Sequence, residues 1–89
     1  SQRAPLAEGE KAVLFVLYRA CDERGGAPVS FASIRSRFRR AIGKHVEADL
    51  HSMLRQHPSY IIRTRKRRET FYRITAAGIS YLRSIGMIN

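Results

Sequence analysis

Tryptophan is missing from this chain, cysteine occurs once, and acidic residues number seven against 17 Lys and Arg. The lone Cys21 excludes an intramolecular disulfide framework and fits a reducing compartment. No apolar run approaches the roughly 18 residues that a transmembrane helix needs. The opening Ser-Gln-Arg-Ala-Pro leads into acidic Glu8-Gly9-Glu10 rather than an apolar stretch, so no signal peptide is expected. From these absences we expect an intracellular protein, of cytoplasm or nucleoid, that engages no membrane. Patterns that carry chemistry are also missing. His45, His51 and His57 are spaced by six, which turns each by about 240° round a helix, so they do not converge on a metal. No Gly-rich phosphate loop, Ser/His/Asp-like or Cys/His arrangement, or inward pair of carboxylates can be made out. The expectation is a binding protein, not an enzyme, without catalytic residues, metal or cofactor.

What is abundant is positive charge. The net charge of +10 and pI near 11.1 exceed what solubility requires and imply a polyanionic partner. Fourteen of the 17 basic residues are Arg, whose planar fork suits phosphates and guanine edges. A chain of 89 residues suffices for one domain of modest core and not for two. Its 44% hydrophobic content, with four Tyr and four Phe, separates it from a disordered tail.

Along the chain, residues 1–7 read as a flexible leader and 8–89 as a single domain. The segment 8–24 has acids at its start, Arg24 at its end and Gly25-Gly26 beyond, which predicts a helix. Its run from Ala12 to Tyr18 is apolar without interruption, so this helix should be buried on more than one side. Cys21 shares the face of Leu14 and Leu17, the place of a small buried hydrophobe. A short edge strand is expected at 27–29, where Pro28 cannot donate to a ladder. Ser30 then has the chemistry of an N-cap for a helix bearing Phe31, Ile34 and Phe38 on one face. A turn is expected around 41–43. The spacing predicts a third helix over 44–57, stopped by Pro58. Val46, Leu50, Met53 and Leu54 form its core stripe, while Lys44, Ala48, His51, Ser52 and Arg55 face outward and His45 lies near the edge. Glu47 and Asp49 fall on the two flanks.

The stretch 60–74 organises the whole. Ile, Thr, Phe and Tyr in both arms suit strands, with Tyr72 and Ile74 on one side and Phe71 and Arg73 on the other. Between the arms lies a tip of Arg65, Lys66, Arg67, Arg68 and Glu69. It contains no Gly, so a longer, looser loop is expected rather than a two-residue primed turn. Thr75 can cap a last helix with Ile79, Leu82 and Ile85 on its apolar stripe. Gly78 is unfavourable there by propensity, which points to close packing against a neighbouring element.

This order of elements, with Ile74-Thr75-Ala76-Ala77-Gly78-Ile79-Ser80-Tyr81-Leu82, resembles winged-helix (winged helix-turn-helix) DNA-binding domains over roughly residues 8–86. The nine-residue piece is similar to the hydrophobic-Thr-x-x-Gly-x-x-Tyr/Phe-Leu segment that follows the wing in many bacterial and archaeal transcription regulators. The resemblance implies an α+β fold with a three-helix core, a small antiparallel sheet carrying a β-hairpin wing, and a C-terminal helix. It also implies that 44–57 is a recognition helix for the major groove and 63–70 a wing for the backbone or minor groove. Two departures stand out: the turn 39–43 is unusually basic, and the wing has cations where Gly is common. Both favour phosphate contacts over fine readout.

Eleven of the 17 basic residues fall within 35–44 and 63–73, which in this fold flank one docking surface. The expected DNA-binding set is Arg35, Arg37, Arg39 and Arg40, then Arg63, Arg65, Lys66, Arg67, Arg68 and Arg73. From the helix, His45, Ala48 and Ser52 could reach bases, and Lys44 or Arg55 guanine edges or phosphates. The expected partner is double-stranded DNA. Charge alone also suits a low-specificity chromatin or architectural binder, an RNA-binding or ribosome-associated winged helix, or a module for an acidic protein. The apolar first helix and the end Ile85, Met87 and Ile88 lead us to expect a homodimer through the first and last helices.

Overall fold

In the computed structural model, which describes residues 5–89, the unbroken segment Glu8–Asp22 coils into helix α1. Its N-terminus is tied by Glu10, whose Oε1 accepts from the Ala7 N–H at 2.8 Å. Gly25 and Gly26 stop it, with φ of 66° and 92° that side-chain-bearing residues avoid. Val13, Leu14, Leu17, Ala20 and Cys21 are all buried, so α1 is the spine of the core. Burial also pushes the Cys21 thiol above its ordinary pKa, which leaves it a small inert hydrophobe. The folded domain starts earlier than residue 8. Leu6, assigned to the flexible leader, is only 4% exposed and belongs to the core cluster, while 1–4 lie outside the described residues.

The order continues with β1 (Val29–Ser30), α2 (Phe31–Arg35), α3 (Arg40–Gly43), α4 (Val46–Gln56), β2 (Ile61–Lys66), β3 (Glu69–Ile74) and α5 (Ala76–Ser84). The result is an α+β domain in which helices pack on one three-stranded antiparallel sheet of order β1-β3-β2. Ser30 caps α2 as expected, its hydroxyl accepting from the Ser33 N–H at 3.2 Å. Several boundaries differ from expectation; β1 lies at Val29–Ser30 rather than 27–29, and α1 stops at Asp22 rather than 24. Helix α2 ends at Arg35, short of Phe38, and the turn at 41–43 closes instead into the short helix α3. Helix α4 begins at Val46, because Lys44 and His45 form the turn that leaves α3. Among the described residues no helix is long and apolar enough to cross a membrane.

On α4, Val46, Leu50 and Met53 are fully buried, while Leu54 is half-buried at the margin of the core. Each such side chain contributes roughly 1.5–3 kcal/mol of transfer free energy. The flanking acids part company. Glu47 stays exposed beside the hairpin, whereas Asp49 turns toward α1, its Oδ2 3.0 Å from where a Cβ at Gly9 would stand. Burial first, then the Glu10 carboxylate, pushes the Asp49 carboxyl above its ordinary value, with His45 opposing.

The folded chain therefore holds the Asp49 proton more tightly than the unfolded chain does. That contribution is complete below the unfolded pKa and is lost as pH rises through the folded one. Asp49→Asn should raise the urea midpoint near neutrality and leave it unchanged below about pH 3.5. Parallel urea titrations of both proteins across that range check this, and identical midpoints throughout would refute it.

The hairpin base is held by a column of rings. His57, at the C-cap of α4, stacks on Tyr60 (centroids 5.3 Å apart), and Tyr60 stacks on Tyr81 of α5 at 5.0 Å. The Tyr60 carbonyl accepts from the Thr75 N–H at 3.0 Å, and the Thr75 hydroxyl donates to the Ser59 carbonyl. Thr75 also caps α5 by accepting from the Gly78 N–H at 3.1 Å. Here the propensity penalty of Gly78 finds its reason. A Cβ at Gly78 would come within 2.5 Å of the Tyr60 carbonyl oxygen and 2.7 Å of Ile74 Cγ1. Gly78→Ala should destabilise the domain by about 1–3 kcal/mol, read from urea unfolding. A neutral result would mean that α5 slides freely over the hairpin base.

Candidate nucleic-acid interface

Two elements present the basic residues, and the sheet register decides which way each one points. Cross-strand partners share a face of the sheet. Ile61 pairs with Ile74, Arg63 with Tyr72 and Arg65 with Thr70, and this face looks toward α4. Ile62 with Arg73, Thr64 with Phe71 and Lys66 with Glu69 occupy the other face. The hairpin cations are therefore split. Arg63 and Arg65 look into the space beside α4, while Lys66 and Arg73 belong to the far side. Arg73, expected on the docking surface, is half-buried there and lines a hollow with Tyr18, Cys21 and Ile79. The period of two puts it on the opposite face from Tyr72, away from the surface shared by α4.

The tip is tighter than expected. Only Arg67 and Arg68 link β2 to β3, and both have positive φ, 51° and 69°. Positive φ at both central residues is the requirement of a primed two-residue turn, so the longer, looser loop is not what forms. The pairing runs in register from Ile61↔Ile74 to Lys66↔Glu69, and six paired rungs leave two residues for the link. Absence of Gly does not forbid such a turn; it makes the turn costly, by about 1–2 kcal/mol per left-handed side-chain-bearing residue.

On α4 and the turn before it, Lys44, His45, Ala48 and Arg55 are exposed. Ser52, expected to be exposed, is half-buried, as is His51. Between α4 and the hairpin lies a cleft of about 510 Å³. Arg63 and Arg65 line it from β2, Glu47 and His51 from α4, and the half-buried Phe31 ring from α2. Tyr72 closes its floor; burial pushes the phenol above its ordinary pKa while the adjacent Arg63 guanidinium pulls it down. Sequence reasoning missed Phe31, Glu47, His51, Thr70 and Tyr72 as members of this site. Helical spacing placed Glu47 on a flank, but not which element stood opposite that flank.

The remaining basic residues divide again. Arg35 and Arg40 line a separate hollow of about 430 Å³ with Phe31 and Phe38, and Arg39 is exposed at the N-cap of α3. Arg37, expected to meet DNA, uses its fork within the chain. Its two terminal nitrogens donate to the Glu23 carboxylate at 3.1 and 2.7 Å, and that pairing holds Glu23 below its usual pKa. No family model, curated protein or solved structure matches the chain.

Replacing the link by a sequence made for it, Arg67→Asn with Arg68→Gly, should stabilise the domain by about 1 kcal/mol through relief of the left-handed strain. Thermal unfolding followed by circular dichroism measures this. A lower melting temperature would show that the two Arg side chains stabilise the hairpin themselves.

Proposed function

We propose that the chain is a winged-helix (winged helix-turn-helix) DNA-binding domain, acting as a transcription regulator on double-stranded DNA. In this reading α4 and the turn before it enter the major groove through Lys44, His45, Ala48 and Arg55, and the β2–β3 hairpin is the wing that grips backbone or minor groove. The observation that carries it is the hairpin itself. It holds the exposed Arg63, Arg65, Lys66, Arg67 and Arg68 beside the exposed face of α4, and among the described residues no salt bridge engages any of the five. Positive charge gathered on one ridge and outnumbering the nearby Glu47 and Glu69 is what a phosphate backbone would attract. Arg39, Arg40 and Arg35 extend the basic surface along α2 and α3, whereas Arg37 and Arg73 stand outside it. The role is binding, not catalysis.

A second reading, a low-specificity architectural binder, is favoured by the face of α4 itself. Exposed Ala48 has no hydrogen-bonding side chain, and half-buried Ser52 reaches less far than the sequence promised. The homodimer expected from the first and last helices narrows to one end under this proposal. Helix α1 uses its apolar surface inside the domain, and Ile85 and Met87 past α5 stay exposed.

The test is fluorescence anisotropy with matched duplex DNA, duplex RNA and single strands over a range of salt. Duplex DNA should bind best, and Arg67→Ala and Arg68→Ala should each weaken all DNA sequences together. Each should also reduce the log-affinity versus log-salt slope by roughly one. Hairpin variants that bind like the parent at every salt concentration would overturn the proposal.

A further inference from the structure

The cleft between α4 and the hairpin is chemically unlike the rest of the basic surface, because it contains an acid. Glu47 is exposed within it, and among the described residues no ion pair within 4.0 Å joins Glu47 to Arg63 or Arg65. Two guanidinium groups and a carboxylate thus face one space without closing on each other. A phosphate chain laid along that space would meet the Glu47 charge head-on. The hollow of Arg35 and Arg40 holds no acid, and neither does the one lined by Pro28, Thr64, Lys66 and Phe71. Phosphate suits those surfaces; the α4 cleft suits something with hydrogen-bond donors as well as acceptors.

A nucleobase is such a group, and among the common bases guanine alone offers a carboxylate two adjacent N–H donors. Guanine presents two adjacent N–H donors, N1 and N2, to which the two oxygens of a carboxylate can pair side by side. Its other edge presents O6 and N7, acceptors suited to an Arg fork or an imidazole N–H. Phe31 supplies the aromatic wall on which an unstacked base can lie. The volume of about 510 Å³ falls in the range of small-ligand sites, and the exposed Arg65 on its wall offers a 5′-phosphate a cation. Adenine and cytosine each offer a single amino group to Glu47, and thymine or uracil one N–H between two repelling carbonyls.

We infer that the cleft between α4 and the hairpin receives a single unpaired guanine nucleotide, with Glu47 on its N1–H and N2–H edge, Phe31 against its ring and Arg63 and Arg65 on its acceptors and phosphate. This rests on the nucleic-acid reading above and adds to it a base-specific pocket separate from the groove-facing surface of α4.

The experiment uses the full chain and DNA duplexes that are fully paired or carry one extrahelical dG, dA, dC or dT, with free guanosine monophosphate as a competitor. The dG-bulged duplex should bind about tenfold tighter than the paired duplex and the other bulges. Glu47→Gln should abolish most of that preference while leaving paired-duplex affinity equal or higher, because a repelling charge is removed. Displacement of the bulged duplex by the free nucleotide would show that the nucleotide alone fills the site, and displacement only by bulged strands that the strand is its source. Equal binding of all bulges, a preference for another base, or a dG preference retained by Glu47→Gln would overturn the inference and leave duplex binding standing. Absence of binding to every nucleic acid would remove both.

Discussion

The geometry of this domain depends on how closely α5 approaches the base of the hairpin. Tyr60 is the point of contact. Its carbonyl receives the Thr75 N–H, its ring lies between His57 and Tyr81, and the missing side chain of Gly78 leaves room for the carbonyl against α5. Three elements, the end of α4, the start of β2 and the start of α5, are thereby fixed to one residue. A hairpin anchored only by ladder hydrogen bonds to its own partner strand would be marginal in water. Anchored at Tyr60 and paired to β1 through Val29↔Tyr72 and Ser30↔Phe71, it projects in one direction. The cleft beside α4 exists because that direction is set.

Electrostatics then follow from the alternation of strand faces. With ten more positive than negative charges, the chain must keep cations apart to fold. Register places Arg63 and Arg65 on one face and Lys66 and Arg73 on the other, so neighbours in sequence are not neighbours in space. The few acids are deployed locally. Glu23 takes Arg37, Glu69 lies across from Lys66, and Asp49 and Glu10 sit together at the α1–α4 contact. The Asp49–Glu10 pair is unfavourable by itself, and α1–α4 packing through Leu14, Leu17, Leu50 and Met53 has to outweigh it. Glu10 also leaves Oε2 buried without a partner, a further cost of this contact.

Much of this was legible in the residues. The core stripe Val46, Leu50 and Met53, the caps Ser30 and Thr75, the strand arms and the close packing at Gly78 follow from local rules, because each is decided within one turn or one pleat. Leu54 and Ser52 were misjudged by one class of exposure, since a helical wheel gives angle and not the depth of the neighbouring wall. The Arg37–Glu23 pair joins residues 14 apart, each just past the end of a helix, and no spacing rule reaches that far. Glu47 and His51 needed the partner hairpin in place before their cleft existed. The tip was misread for a different reason. Gly is a preference at left-handed positions, and a preference is overridden when the six paired rungs between β2 and β3 determine the length of the link.

That override bears on what the tip is for. Arg67 and Arg68 each sit where an L side chain costs about 1–2 kcal/mol, against a total stability of roughly 5–15 kcal/mol for a domain. The two adjacent charges add repulsion, and among the described residues no salt bridge relieves either. Asn-Gly would make the same turn without either penalty. The hairpin therefore carries strain and charge that an Asn-Gly link of the same length would not. A tight link also fixes where those guanidinium groups point. A flexible loop with the same four cations would have to lose its conformational entropy on meeting a polyanion, at about 1–2 kcal/mol per ordered residue. The two-residue turn has already lost that entropy in folding, so charge is presented at a fixed distance from α4.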